Sequence, residues 1–165
     1  MTENGEGMVD DILPRASELV RPPIANVDLV VLVFACEEPA LNLLLLDKFL
    51  VHAENAGLDT VICLTKCDLI ADPEQVVIEK ENMSLDSVIR LYEQIGYEMI
   101  QTSSRKRIGV DAIMARLAGH LSVFAGQSGV GKSSCLTLWF PVWSCRPTSS
   151  LPGSDAANIR RGMSN

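Results

Sequence analysis

Positive charge is scarce in the front of this sequence. Residues 1–100 carry 6 Lys and Arg against 19 Asp and Glu, whereas residues 101–165 carry 8 against 2. The formal net charge of −7 therefore hides an acidic front and a basic back. That division suits an anionic ligand or partner near the back half, although solvated faces sampled unevenly give the same arithmetic. Long hydrophobic runs are missing too. The most apolar stretch, residues 27–50, is broken by Glu37, Glu38, Pro39 and Asp47, short of the roughly 18–20 apolar residues that span a bilayer. The N-terminus is acidic and has neither the apolar core of a signal peptide nor the Arg-rich character of a transit peptide. A soluble protein with no membrane partner is expected. The five cysteines are an odd number and lack a metal-binding arrangement: Cys63 and Cys67 have no second pair or nearby His to complete a zinc set. They read as reduced, buried or half-buried thiols beside a strand, and no zinc is expected. No internal repeat is visible.

What is present is ordinary for a globular domain. Hydrophobic residues make up 47% and charged residues 21% of 165, which excludes a disordered or collagen-like chain and fits one domain. Residues 27–35 form a continuous β-branched and apolar run after Pro22-Pro23, the mark of a strand buried on both faces. Pro39 opens a helical pattern with Leu43, Leu46, Leu50 and Ala53 on one face, stopped by Gly57. A second buried strand is expected over residues 60–65. A helical stretch should open at Asp72-Pro73 and continue through residues 84–94. A short strand over 97–101, a helix over 109–119 and a strand over 120–125 follow, and then a Gly-rich turn. This alternation predicts a three-layer α/β domain with a parallel sheet and right-handed crossovers. From Leu136 to Asn165 no period holds, and the segment reads as loop or disorder.

The strongest motif is Gly126-Gln127-Ser128-Gly129-Val130-Gly131-Lys132-Ser133, which fits G-x-x-x-x-G-K-[ST] between a strand and a helix. Glycines let backbone N–H groups curl around phosphates, and the following helix adds its positive end. Lys132 would reach the β- and γ-phosphates and the Ser133 hydroxyl would ligate Mg²⁺. A glycine-rich turn with an incidental lysine is the bland alternative. The second motif is Thr65-Lys66-Cys67-Asp68, at the end of a strand. A carboxylate here can accept two parallel hydrogen bonds from the guanine ring N–H and exocyclic amine, whereas adenine offers no such pair. Asp68 would equally suit a simple helix cap. The third, Thr102-Ser103-Ser104, ends the next strand, where backbone N–H groups could bind the guanine carbonyl. All three lie at carboxyl ends of parallel strands, the ligand-binding edge of open α/β sheets. His52 and His120 read as an exposed helix residue and a strand-start residue, and Arg105-Lys106-Arg107 as a solvated loop, with contact to phosphate or RNA as the alternative.

The guanine motif precedes the phosphate loop, the reverse of ordinary Ras-like GTPases. With Ile12-Leu13-Pro14-Arg15, Val20-Arg21-Pro22-Pro23-Ile24-Ala25-Asn26-Val27-Asp28, Thr65-Lys66-Cys67-Asp68-Leu69 and the phosphate loop continued by Ser134, the chain resembles the circularly permuted ribosome small-subunit-dependent GTPase A family (RsgA/YjeQ). The likeness covers roughly residues 9–134. It implies an incomplete, circularly permuted Ras-like P-loop NTPase domain. It further implies GTP or GDP bound with Mg²⁺, GTP hydrolysis stimulated by the small ribosomal subunit and its rRNA, and a role late in that subunit's maturation. Carried over by motif, Lys66 and Asp68 contact guanine and Thr65 stands where Asn is commoner. Ser103 and Ser104 sit near the guanine carbonyl, Lys132 and Ser133 hold phosphate and metal, and the compartment is cytoplasmic or an organellar matrix.

The resemblance divides the chain into a remnant of an N-terminal OB domain or linker (1–21), a partial GTPase domain (22–135) and a non-family tail (136–165). The zinc-binding domain of the family has no counterpart, and no Asp-x-x-Gly follows Ser134: Asp155 leads into Ala156, Ala157 and Asn158. In a Ras-like sheet the switch strands flank the strand before the phosphate loop, so residues 120–125 should form an unpaired apolar edge. A truncated or frameshifted product, or else a short paralogue, is expected. It should bind guanine nucleotide weakly and hydrolyse it poorly. An adenine-nucleotide P-loop protein and an inactive relic are the competing readings.

Overall fold

The computed structural model describes residues 11, 14–15, 17–19, 24–74, 77–78, 83–140 and 157–158. A short antiparallel pair, β1 (Glu18–Leu19) with β2 (Ile24–Ala25), leads in. It is fastened by the Ser17 hydroxyl on the Val27 carbonyl and by the Asn26 N–H on the Ser17 carbonyl. This pairing joins residues on both sides of the boundary expected at 21.

The sequence LVVLVFA forms β3 (Leu29–Ala35), in which every residue is buried. Alternating side chains explain why. Val30, Leu32 and Phe34 face one apolar cluster, and Leu29, Val31, Val33 and Ala35 face the other, so the strand is sandwiched rather than half-solvated. The first face is covered by α1 (Leu43–Asn55). Asn42 caps it by accepting the Leu45 N–H at 3.0 Å, and its buried stripe is Leu43, Leu46, Leu50 and Ala53, as the spacing predicts. Burying each such leucine is worth about 1.5–3 kcal/mol. Next comes β4 (Asp59–Thr65), followed by a single 3-10 turn, Cys67–Leu69.

The helical stretch expected from Asp72 is corrected. Asp72 accepts the Glu74 N–H in a tight turn, and β5 (Val77–Ile78) pairs antiparallel with β6 (Met83–Ser84). Val77 and Ile78 are β-branched and favour extended backbone, and Ile78 joins the core. The helix starts only at α2 (Leu85–Ile95), capped by the Ser84 hydroxyl and ended by Gly96 at φ 111°. Then follow β7 (Glu98–Gln101), α3 (Val110–Leu117), β8 (Ser122–Ala125) and α4 (Lys132–Trp139).

A two-residue strand, β9 (Ala157–Asn158), completes a five-stranded sheet in the order β7-β4-β3-β8-β9, parallel except for β9. Buried residues of α1 and α2 belong to one core, and those of α3 and α4 to the other, giving three layers. Two expectations about the back of the chain change here. The helix after the phosphate loop does not stop at Cys135. It runs to Trp139, whose ring tilts against Phe124 with centroids 5.6 Å apart, so packing rather than period defines its last turn. The edge at β8 is not bare either, because Phe124 and Val123 pair with Ala157 and Asn158.

Candidate functional site

The parallel strands deliver their carboxyl ends to one rim. After β8 the chain turns sharply at Gly126, with φ 151°. A Cβ there would lie 2.1 Å from the Val33 carbonyl oxygen, so only glycine lets the loop pass over β3. Gly131, left-handed at φ 95°, caps α4, and Val130 is buried between them. The Lys132 ammonium donates to the Gly126 and Gln127 carbonyls at 2.7 and 2.5 Å. It thus stands inside the curl of its own loop, beside exposed Ser128 and Gly129. Ser133 and Ser134 are exposed in the first turn of α4.

The guanine motif is fastened to this loop directly. Thr65 ends β4 and is buried. Its hydroxyl is within donating reach of the carbonyls of Phe34 and Val130, joining the two motifs through one side chain. Lys66 takes a left-handed backbone at φ 59°, and its ammonium donates to the Glu38 carbonyl. Asp68 lies in the 3-10 turn, where its carboxylate accepts the Ser103 hydroxyl at 2.6 Å. That hydrogen bond, helped by the charges of Arg105 and Lys106, holds the Asp68 carboxyl below its ordinary value, so it is an anionic acceptor at neutral pH.

Ser103 and Ser104 take different places. Ser103 is buried, and its N–H is committed to the Ile108 carbonyl. Its hydroxyl orients Asp68 while accepting the Lys106 N–H. Ser104 reaches the cavity, and its hydroxyl lies 3.5 Å from the Cys135 sulfur. The cavity measures about 290 Å³. Lys66, Asp68 and Leu69 line it from the guanine loop, and Ser104 and Arg105 from the third loop. Gly131 and Ser134 come from the phosphate loop, and Glu38 from the turn after β3.

Two lining residues, Glu38 and Leu69, are not among the expected site residues. Glu38 belongs to no motif, and only its carbonyl serves Lys66. Arg105, expected in a solvated loop or against phosphate or RNA, borders the cavity beside Asp68. A basic residue directly after Ser-Ser was the available signal. The histidines lie elsewhere: His52 is exposed on α1, and His120 pairs with Asp28 at 3.1 Å. Cys63 is buried and Cys67 half-buried, as expected. Among the described residues no group of three or more His, Cys, Asp and Glu could hold a metal, and no helix is long and apolar enough to cross a membrane.

A family model described as RsgA GTPase matches residues 12–145, past the boundary expected at 135. The chain is 43% identical over 139 residues to the small ribosomal subunit biogenesis GTPase RsgA of Alkaliphilus metalliredigens, covering 84% of this chain and 44% of that protein. It is 46% identical over 137 residues to the protein of that name from Halalkalibacterium halodurans, covering 83% and 44%. With the one from a Geobacillus species it shares 44% over 162 residues, covering 98% and 51%. The chain thus spans about half the length of the curated relatives it matches. Among solved structures, YjeQ from Thermotoga maritima superposes with a TM-score of 0.71 at 36% identity, over 89% of this chain and 50% of that one. YloQ, a circularly permuted GTPase, gives 0.63 at 39%, over 78% and 42%. Phosphate loop after guanine motif, strand order and sequence agree: the chain belongs to the RsgA GTPase family.

Proposed function

We propose that this chain binds GDP and GTP with Mg²⁺ and is the nucleotide-binding part of a GTPase acting in small ribosomal subunit biogenesis. The observation that carries this is one cavity shared by both motifs. Asp68, fixed by Ser103, borders it on one side, and Gly131 and Ser134 of the phosphate loop border it on the other. The Asp68 carboxylate is the acceptor for the two N–H groups of guanine. The Lys66 stem lies on the cavity wall, where it can cover the base. Ser104 is the better placed of the two serines for the guanine carbonyl, and Ser103 works through Asp68.

The donor set of the phosphate loop fits a polyphosphate with its metal. The glycine cradle, the Lys132 ammonium turned into the loop and the exposed Ser133 hydroxyl at a helix N-terminus provide the required groups. Lys132 would exchange its bonds to Gly126 and Gln127 for phosphate oxygens, and Ser133 would hold Mg²⁺, which neutralises phosphate charge when bound. Between Ser134 and Asn165 no Asp-x-x-Gly occurs. Phosphoryl transfer depends on positioning and charge stabilisation, so residues 1–165 bind weakly and turn GTP over slowly. The small ribosomal subunit, named in the relatives' function, is the partner this reading takes, through its rRNA.

Titration with a fluorescent guanine nucleotide, competed by GDP, GTP and ATP, tests the reading. Displacement by GDP and GTP but not ATP is expected. Equal displacement by ATP would support an adenine-nucleotide protein, and no binding would support a relic. GTP turnover as fast as that of a full-length relative would overturn slow hydrolysis.

A further inference from the structure

Four cysteines gather around the rim that carries the nucleotide motifs. Cys63 is buried on β4 and Cys135 on α4, and both thiols are held up by burial. The other two differ. Cys36, directly after β3, and Cys67, at the variable position of the guanine motif, are 31 residues apart in sequence, yet their sulfurs lie 3.2 Å apart. Their loops are tied further by the Cys36 N–H on the Thr65 carbonyl. Cys36 is buried whereas Cys67 is half-exposed, so a small solute reaches Cys67 first.

We propose that Cys36 and Cys67 are a redox-active thiol pair that a hydroperoxide closes into a disulfide across the nucleotide-binding rim. The asymmetry sets the order of attack. With its own thiol turned to the Leu64 carbonyl, Cys67 is placed to accept from Cys36, a contact that favours its thiolate against the burial of the site. That hydrogen bond and its own burial hold Cys36 in the protonated form. In the resting pair the Cys67 thiol points at the Leu64 carbonyl at 3.3 Å. After Cys67 releases its proton to water, its sulfur attacks one peroxide oxygen. An S–O bond forms, the O–O bond breaks, and the departing hydroxide takes up a proton as water. Cys67 is then a sulfenic acid, oxidised by the two electrons that reduced the peroxide. Cys36 loses its proton as its sulfur attacks that of Cys67. The S–S bond forms, the S–O bond breaks, and the hydroxyl leaves with that proton as a second water. Two thiols and one hydroperoxide thus give one disulfide and two waters when the oxidant is hydrogen peroxide.

Closing the bond draws the sulfurs from 3.2 Å to about 2 Å. It links the turn carrying Glu38 to the loop carrying Lys66 and Asp68, both of which line the cavity. The oxidised chain should therefore bind guanine nucleotide at least about threefold more weakly. That consequence rests on the function proposed above, whereas formation of the disulfide does not.

The test is peptide mapping of the reduced 165-residue chain after hydrogen peroxide, with free thiols alkylated. A Cys36–Cys67 linked peptide lighter by two hydrogens and released by dithiothreitol is expected. Cys36→Ser should leave a sulfenic acid at Cys67, trapped by dimedone, and Cys67→Ser should leave none at Cys36. Links through Cys63, Cys135 or Cys145 instead, or full alkylation of both Cys36 and Cys67 after peroxide, would overturn the site. Dimedone on Cys36 in Cys67→Ser would overturn the order of attack. A mapped disulfide with unchanged nucleotide affinity would overturn the threefold effect alone, and a reduced chain that binds no guanine nucleotide would sink the function while leaving the thiol pair intact.

Discussion

On the guanine-motif side of the sheet, β4 is hydrogen-bonded along its length to β3 and again to β7, whereas on the phosphate-loop side β8 has only a short ladder to β3 and the two residues of β9 beyond it. The loop with Lys66 and Asp68 therefore grows from a strand paired on both flanks, and the loop with Ser103 and Ser104 from the edge strand β7 beside it. The loop proposed to cradle phosphate grows from a strand whose outer flank is paired at two residues only. Its position relies on side-chain and close-approach devices instead: Trp139 on Phe124, Gly126 against Val33, and the Thr65 hydroxyl on Val130. Firmness on the two sides comes from different sources, backbone ladders on one and packing on the other.

The sharpest way to break that contrast is Trp139→Ala. Trp139 is buried in the cluster beneath the phosphate loop, and its loss should cost about 3–5 kcal/mol in urea unfolding. A cost below about 0.5 kcal/mol, the range of ordinary surface changes, would mean that α4 does not hold this side. Asp68→Ala acts on the other side. Guanine-nucleotide affinity should fall about a hundredfold, with ATP binding unchanged, as two charge-assisted bonds disappear. Because the Asp68 carboxyl lies below its ordinary value, guanine preference in the parent protein should persist down to about pH 4 in competition titrations. Thr65→Val cuts the link between the sides. The Phe34 and Val130 carbonyls lose their shared donor, with an expected loss of about 1–2 kcal/mol in thermal unfolding and weaker nucleotide binding. Unchanged binding would show that the two motifs act independently.

The smallest effect lies at the opposite end of the sheet. Arg116 bridges Asp59 of β4 and Glu98 of β7, reinforcing the side already well paired, and both carboxylates are about half exposed. Arg116→Ala should cost less than about 0.5 kcal/mol. Its hydrogen bond holds the Asp59 carboxyl below the usual range. The stabilisation is thus present above about pH 4 and is lost as pH falls through the lowered value. Stability curves of parent and variant should converge in acid, and a gap that widened there would contradict the assignment.

Most of the β7-β4-β3 part of the sheet was legible because its signals are local. The run at 29–35, the stripe on α1 and the order of motifs each follow from a few neighbouring residues. What was not legible depends on distant partners. The pairing of Val77–Ile78 with Met83–Ser84 interrupts a stretch that Asp72-Pro73 makes look helical. Ala157–Asn158 finds β8 without any period to announce it. The last turn of α4 exists because Trp139 has Phe124 to rest on. The site divides in the same way. The residues of its three motifs were visible, but the place of Glu38, the separate work of Ser103 and Ser104, the Thr65 bridge and the Cys36–Cys67 contact are properties of the assembled rim.

The register of β3 also bears on the order in which the molecule is assembled. Leu29 meets Asp59 on one edge and Ser122 on the other, partners 30 and 93 residues away in the chain. By loop-closure entropy alone, the longer closure costs about 1 kcal/mol more. As the chain emerges from a ribosome, β3, α1 and β4 are all available before β8 has been made. The edge of β3 that receives β8 must wait, apolar and unpaired, for the phosphate loop's own strand to arrive. The half that carries Lys66 and Asp68 thus serves as the template on which the half that carries the glycine-rich loop is laid down.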